Sequence, residues 1–253
     1  MNMTMRLDKF LCDMGIGSRS EIKKYIKAGR VRVGDGPAKD AGLQISGTDP
    51  VFFDGIKIEY EDKTYLMLYK PAGYITATED PRQKTVMDII YSGEGFVTSD
   101  PENEAGMFRR DLFPVGRLDI DTEGLLLVTN DGDLSHKLLS PKHHVDKVYY
   151  AEVDGPLDEA AVKRFAEGMD LGDFTSQPAV LKIVSSGADR SAAEVTITEG
   201  KFHQVKRMFS ACGTEVTYLK RLSMGSLTLD EGLKPGEFRR LMAEEIRELM
   251  GRE

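Results

Sequence analysis

Three carboxylates and an arginine lie between two glycines in Gly116-Arg-Leu-Asp-Ile-Asp-Thr-Glu-Gly124, and the apolar run Leu125–Val128 follows at once. A loop at the end of a rigid strand is a common seat for reactive groups. A carboxylate there can act as nucleophile, general base or metal ligand, or it can belong to a solvated turn that Asp119 caps. A second passage, Ser140-Pro-Lys-His-His-Val-Asp-Lys-Val-Tyr149-Tyr150, sets cations and two histidines ahead of a strand. Tyr149 and Tyr150 must point to opposite faces of it. One of them can stack on a nucleobase, or both can be half-buried strand residues. In the third passage, Gly200-Lys-Phe-His-Gln-Val-Lys-Arg-Met-Phe209, helical spacing predicts a buried stripe of Phe202, Val205, Phe209 and Cys212. His203, Lys206 and Arg207 then converge on an adjoining face. A cation from that face can pair with a loop carboxylate and favour its charged form, or it can face solvent.

Other chemistries find no support. His136, His143, His144 and His203 lack the fixed spacing of a metal site, and Cys12 and Cys212 stand alone, so no metal is expected. There is no phosphate-cradling glycine loop and no dinucleotide fingerprint, so no cofactor is expected either. A chain of 253 residues with 40% hydrophobic and 30% charged residues can bury a full core as one large domain or two smaller ones. The longest apolar run, Tyr65–Tyr69, falls far short of the ~20 residues of a membrane helix. Met1–Arg6 has no apolar leader segment, and two cysteines suit a reducing compartment. The expectation is a soluble, cytoplasmic protein with no membrane partner, monomeric because nothing suggests a coiled coil.

Charge is distributed unevenly. Arg6–Arg32 carries eight Lys/Arg against three acids, a local +5 in a chain of net −8, which leaves −13 on the rest. A basic patch on an acidic protein is still a footprint for phosphates. Within it, Leu7, Phe10 and Leu11 share one face of a first helix. Ser18-Arg-Ser-Glu21 is a capping box that opens a second, which Gly29 closes and whose stripe is Ile22, Tyr25 and Ile26. Arg19, Lys23, Lys27 and Arg30 recur at four, four and three and form one exposed basic row. Val31–Val33 and a Gly34-Asp-Gly36 turn follow.

Residues 1–60 therefore form a small α/β module and 61–253 a second domain, joined at Glu61-Asp-Lys-Thr64, a linker that leaves the module free to swing. Beyond it, strands are expected at Tyr65–Tyr69, Leu125–Thr129, Val148–Val153, Ala179–Val184, Ala193–Thr198, Glu215–Leu219 and Leu227–Leu229. Helices are expected at Val86–Tyr91, Leu134–Leu139, Asp158–Glu167, Phe202–Cys212 and Ala243–Met250, and Ser92–Ala105 reads as a surface loop. The irregular alternation predicts an α+β fold with a mixed, mainly antiparallel sheet.

Two resemblances sharpen these readings. Met5-Arg-Leu-Asp-Lys-Phe10, Gly17-Ser-Arg19 and Ile26-Lys-Ala-Gly-Arg-Val-Arg-Val33 closely resemble the S-four-type RNA-binding domain over about Met5–Glu59, with Val33-Gly34-Asp35 where that family more often has Val-Asn-Gly or Val-Asp-Gly. The resemblance implies that Arg19, Lys23, Lys27 and Arg30 contact structured RNA. Lys70-Pro-Ala-Gly-Tyr74, Val115–Leu127, Leu139-Ser-Pro-Lys-His-His144 and His203-Gln-Val-Lys-Arg-Met208 resemble, in order, the motifs of pseudouridine synthases, across nearly all of Thr64–Leu249. The strings look most like the branch acting on small-subunit (16S) ribosomal RNA, with the large-subunit (23S) branch as alternative. A non-catalytic ribosome-assembly factor is the alternative of another class. What the resemblance implies is isomerisation of a uridine without cofactor, in ribosomal RNA that is structured or part of a partly assembled small subunit. It makes Asp119 the catalytic aspartate and Lys206 its basic partner, with Arg207 second choice for that part. Tyr149 becomes the residue that stacks on the uracil, and Arg117 fills the gap left by the extruded base, with His203 beside them on the RNA. Asp121 and Glu123 are expected to be structural. Lys147-Val-Tyr149 departs from the family's Lys-Thr-Tyr and loses a hydroxyl.

Overall fold

The computed structural model describes residues 4–99 and 108–251. The N-terminal part runs β1 (Thr4–Arg6), α1 (Leu7–Asp13), α2 (Arg19–Lys27), β2 (Val31–Val33), β3 (Gly36–Pro37), β4 (Gln44–Ser46), β5 (Val51–Phe53) and β6 (Ile56–Ile58). The expected stripes bury as the spacing requires: Leu7, Phe10 and Leu11 of α1 meet Ile22 and Ile26 of α2 and Val31, Val51 and Phe53 of the small sheet in one core. Ser18 and Glu21 form the capping box reciprocally. The basic row is shorter than expected. α2 stops at Lys27 and Gly29 turns the chain at φ +73°, so Arg30 leaves the helix face. Its guanidinium pairs with Asp54 and lies 4.5 Å from the ring centre of Tyr25 and 4.7 Å from that of Phe53. Arg19, Lys23 and Lys27 are exposed on the helix.

The larger part continues with β7 (Tyr65–Lys70), α3 (Val86–Ser92), β8 (Phe113–Pro114), β9 (Glu123–Thr129), α4 (Gly132–Leu139), β10 (Lys147–Asp154), α5 (Glu159–Glu167), β11 (Val180–Ser185) and β12 (Arg190–Ile197). It ends with α6 (Gln204–Ala211), β13 (Val216–Met224), β14 (Leu227–Thr228), β15 (Phe238–Arg240) and α7 (Ala243–Met250). One sheet runs in the order β11-β12-β10-β13-β9-β7-β15, with β14 on β13 and β8 on β9. All its pairings are antiparallel except β9 with β13, so the sheet is mixed and mainly antiparallel as expected. Apolar residues of β10, β12, α5 and α6 form one core, and those of β7, β9, α4 and α7 form another.

Several expectations need correction. β13 extends to Met224, because Lys220 and Arg221 carry the parallel pairing to β9 instead of ending the strand. β8 and β15 had no signal: each is two or three residues long, and β15 has two arginines beside its one core side chain, Phe238. Ser92 belongs to α3, and residues 100–105 of the expected loop lie outside the described residues. The Glu61–Thr64 segment is fastened and not slack. Arg240 pairs with the Glu61 carboxylate at 2.6 Å, Arg109 donates to the Glu61 carbonyl at 2.8 Å, and Asn130 brackets the segment through Asp62 O at 2.9 Å and Thr64 N at 2.9 Å.

The parallel seam is two residue pairs long, Glu123 with Lys220 and Gly124 with Arg221. Gly124 has φ +102°, and a Cβ there would overlap the Arg221 carbonyl oxygen and lie 2.7 Å from its amide nitrogen. Gly124→Ala is expected to lower stability by about 3 kcal/mol, from left-handed strain and forced separation of two backbones together. Urea denaturation followed by circular dichroism tests this; a loss under about 1 kcal/mol would mean the seam yields easily.

Candidate active site

The topology brings the second and third passages to the first. β9 and β13 are neighbours and run parallel, so the segments leading into them arrive at the same end of the sheet. The 116–122 loop leads into β9 and α6 leads into β13. Asp119 and Lys206 meet there: Lys206 Nζ lies 3.2 Å from Asp119 Oδ2. His203, the residue preceding α6, places Nε2 3.5 Å from Asp119 Oδ1. Tyr149 on β10 pairs with Arg221 of β13 and is buried, whereas Tyr150 is half-exposed and donates to Glu152 at 3.2 Å. Tyr149 thus faces the pocket. That pocket, of about 60 Å³, is bounded by Arg117, Asp119 and Lys206 and floored by Leu118, Ile197 and Leu219. It opens into a cleft of about 800 Å³ that reaches Lys147, Phe202 and Arg221.

Lys206 is shared between two carboxylates, for its Nζ is closer to Asp121 Oδ1, at 2.6 Å, than to Asp119. Burial by itself would push the Asp121 carboxyl up; the Lys206 ammonium, by hydrogen bond and by charge, brings it below its ordinary value. Glu123 is turned away and accepts from the Tyr218 hydroxyl at 2.9 Å. Burial, and then that carboxylate, raise the Tyr218 phenol.

Arg207 does not join the others. It turns away from the pocket, pairs with Asp173, donates to the Leu171 carbonyl and lies 4.9 Å from the ring centre of Phe174. The expected stripe of α6 is also revised: Gln204, Val205, Met208 and Phe209 are buried, and Phe202 is exposed ahead of the helix. Arg19, Lys23, Lys27 and Arg30 are far along the chain, in the small module, and line neither pocket nor cleft.

Sequence reasoning missed the groups that hold the loop. Lys70, at the end of β7, is fully buried, and its Nζ donates to the carbonyls of Thr122 at 2.8 Å, Pro71 at 3.0 Å and Ile120 at 3.3 Å. Thr76 Oγ1 accepts from Leu118 N at 3.1 Å and donates to Leu118 O at 2.8 Å. The loop backbone on both sides of Asp119 is therefore clamped. The available signal was a lysine ending the apolar run 65–69, since a charged residue on a strand buried on both faces needs several partners. Arg221 is likewise buried; its Nε donates to Leu125 O at 2.8 Å, while one terminal nitrogen, like Thr122 Oγ1, is buried without a partner. Both orphaned atoms belong to residues lining the site, as unsatisfied polar groups at reactive centres often do. Among the described residues no cluster of His, Cys, Asp and Glu could hold a metal ion, and no helix is long and apolar enough to cross a membrane.

Comparison with known proteins gives the chain's similarities. The RNA pseudouridylate synthase family model matches residues 64–211, and the S4 domain model matches residues 5–51. The chain is 44% identical over 244 residues to an uncharacterized RNA pseudouridine synthase of Bacillus subtilis (strain 168), YtzG, covering 96% of this chain and 97% of the relative. It is 40% identical to ribosomal small subunit pseudouridine synthase A of Vibrio vulnificus, covering 96% and 98%. Identity is 36% to ribosomal large subunit pseudouridine synthase B of Bacillus subtilis, covering 96% and 95%. A crystal structure of a pseudouridylate synthase superposes with a TM-score of 0.63 at 34% identity, covering 97% of this chain and 99% of that one.

The buried clamp yields a test. Burial lowers the Lys70 ammonium from 10.5 to about 8, against the charges of Asp121, Glu123 and Asp119, which raise it. Between about pH 8 and 10.5 the unfolded chain holds a proton that the native protein has released, so this group's contribution to stability rises with pH across that window. Lys70→Met strands three carbonyls and is expected to cost about 1–3 kcal/mol at pH 7. The gap to the unsubstituted protein should widen as pH climbs from 8 to 10, read by urea denaturation at each pH. A constant gap would show that Lys70 keeps an ordinary pKa.

Proposed function

The chain belongs to the RNA pseudouridylate synthase family, and on that footing we propose that it converts a uridine of small-subunit (16S) ribosomal RNA to pseudouridine with Asp119 as nucleophile. The observation that carries the proposal is the meeting of Asp119, Lys206 and Tyr149 around one apolar-floored pocket. The 40% identity to a small-subunit synthase, against 36% to a large-subunit one, supports the choice of RNA.

The glycosidic bond is inaccessible in a stacked helix, so the uridine must be extruded. Arg117, at the pocket wall, is suited to occupy the gap, and the Tyr149 ring to lie against the uracil. The Asp119 carboxylate then attacks C1′ while the C1′–N1 bond breaks and N1 takes the electron pair. The detached uracil turns, C5 bonds to C1′, and the bond between C1′ and the carboxylate breaks, which frees Asp119. The proton on C5 leaves and N1 gains one, so atoms balance and nothing is oxidised. In this reading the Tyr149 hydroxyl carries the late proton movement. Lys206 is the counter-ion, alternating between Asp121 and Asp119 as charge on Asp119 changes. The small module, with Arg19, Lys23 and Lys27 exposed on one helix, anchors folded RNA through its phosphates.

Pseudouridine mapping on 16S and 23S transcripts and on partly assembled small subunits, without added metal or cofactor, tests this. One new site in 16S RNA is expected. Asp119→Asn should abolish it, Lys206→Met should slow it about 10²–10³-fold and Tyr149→Phe about 10²–10⁴-fold. A site in 23S RNA only would overturn the choice of RNA, and a fully active Asp119→Asn would overturn the nucleophile. Replacing Arg19, Lys23 and Lys27 together by alanine should reduce the slope of log K against log salt by about 3.

A further inference from the structure

Phe202 is 69% exposed, the most exposed large hydrophobic side chain among the described residues, although its spacing predicts a core position. It is not a loose side chain. Its ring lies on the His203 imidazole with centroids 3.8 Å apart and planes 18° from parallel. His203 is itself held at φ +50°, a left-handed conformation uncommon for a residue with a Cβ and one that persists where the surroundings enforce it. Through its edge atom Nε2 the imidazole lies 3.5 Å from Asp119 Oδ1. Two stacked rings thus stand in fixed register with the reacting carboxylate.

The pair lines the rim of the cleft, whose wall also carries Arg117, Lys201 and Lys206. A single exposed apolar residue needs no explanation. A flat, pre-stacked ring beside cations, at the mouth of a pocket that admits an extruded nucleotide, has the make-up of a single-strand RNA platform: π-faces take bases without reading them, and cations follow the phosphates. We propose that Phe202 is the stacking platform for the unpaired base next to the target uridine. It holds that neighbour out of the helix while the uridine occupies the pocket. The inference rests on the RNA-modifying reading of the same site and adds a residue that fixes the flanking nucleotide. The rival role is a brace that only keeps His203 in place, in which case the identity of the side chain at 202 matters to turnover and not to RNA affinity.

Four measurements decide. In an Asp119→Asn background, filter binding of the transcript that the active protein modifies should weaken about 5- to 150-fold with Phe202→Ala. It should be largely restored by Phe202→Tyr and not by Phe202→Leu. In the active protein the Phe202→Ala loss should fall chiefly on KM. With p-benzoylphenylalanine in place of Phe202, photocrosslinks should fall within one or two nucleotides of the mapped pseudouridine. Unchanged binding, a loss confined to kcat, rescue by leucine or a distant crosslink would each overturn the platform. A single-stranded oligouridine carrying one 2-aminopurine reads stacking without reference to ribosomal RNA: its fluorescence should be quenched by the Asp119→Asn protein and not after Phe202→Ala. Quenching without modification of either transcript would sink the ribosomal reading alone. Modification without quenching would sink the platform alone.

Discussion

The site depends on a single topological fact: β9 and β13 run parallel. It is the only parallel strand pairing among the described residues, and it is two residue pairs long. Were these strands antiparallel, the loop before β9 and the helix before β13 would reach opposite ends of the sheet, and Asp119 could not meet Lys206. Parallel neighbours bring their lead-in segments to one end. The close approach that this needs is what Gly124 supplies, and where the ladder ends Arg221 takes over, its Nε donating to Leu125 O at 2.8 Å. A buried arginine across a strand gap is costly to desolvate, but here it replaces a missing backbone donor.

The second dependence is electrostatic. Three carboxylates within five residues would repel one another on a free loop. In the fold they are separated by partners: Glu123 on the Tyr218 hydroxyl, Asp121 on Lys206, Asp119 between Lys206 and His203. Lys70 sits beneath them, held to the backbone oxygens of Ile120 and Thr122 that follow Asp119. The arrangement works in both directions. The acidic loop sustains the charge on a lysine that burial discourages, and the lysine fixes the backbone that carries the acids.

What could be read from the sequence follows from how local each signal is. The capping box Ser18–Glu21, the α1 and α2 stripes and the bounds of α7 depend on neighbours within a turn, and they appear in the fold as expected. Asp119, Tyr149, His203 and Lys206 stood out because their residue types cluster in short passages, and the fold brings those passages together. Arg207 and Phe202 were misjudged for one reason: helical spacing was extended through His203, where the backbone is left-handed and the helix begins only at Gln204. Arg30 was misjudged in the same way, by continuing a helix past Gly29. Lys70 and Arg221 were missed because their partners are carbonyls 50 and 96 residues away, a relation no local pattern encodes.

An acidic protein that works on a polyanion faces repulsion at every approach, and the distribution of charge answers it by position. The excess positive charge lies in the small module, where Arg19, Lys23 and Lys27 are exposed on one helix. In the catalytic body the cations that matter are few and placed at the cleft: Arg117, Lys201 and Lys206 on its wall, Lys147 and Arg221 at its base. Burial lowers Lys147 to about 8, with the neighbouring Arg221 charge adding to the effect, so these two buried cations oppose each other in the free protein. Such a pair is held against its own repulsion by the packing around it. Its positive potential acts through low-dielectric surroundings, where a charge reaches farther than one in water. Attraction for RNA is therefore concentrated at the anchor and at the pocket, and the intervening acidic surface discourages contact anywhere else. Local placement, and not net charge, decides where the chain offers a polyanion positive potential.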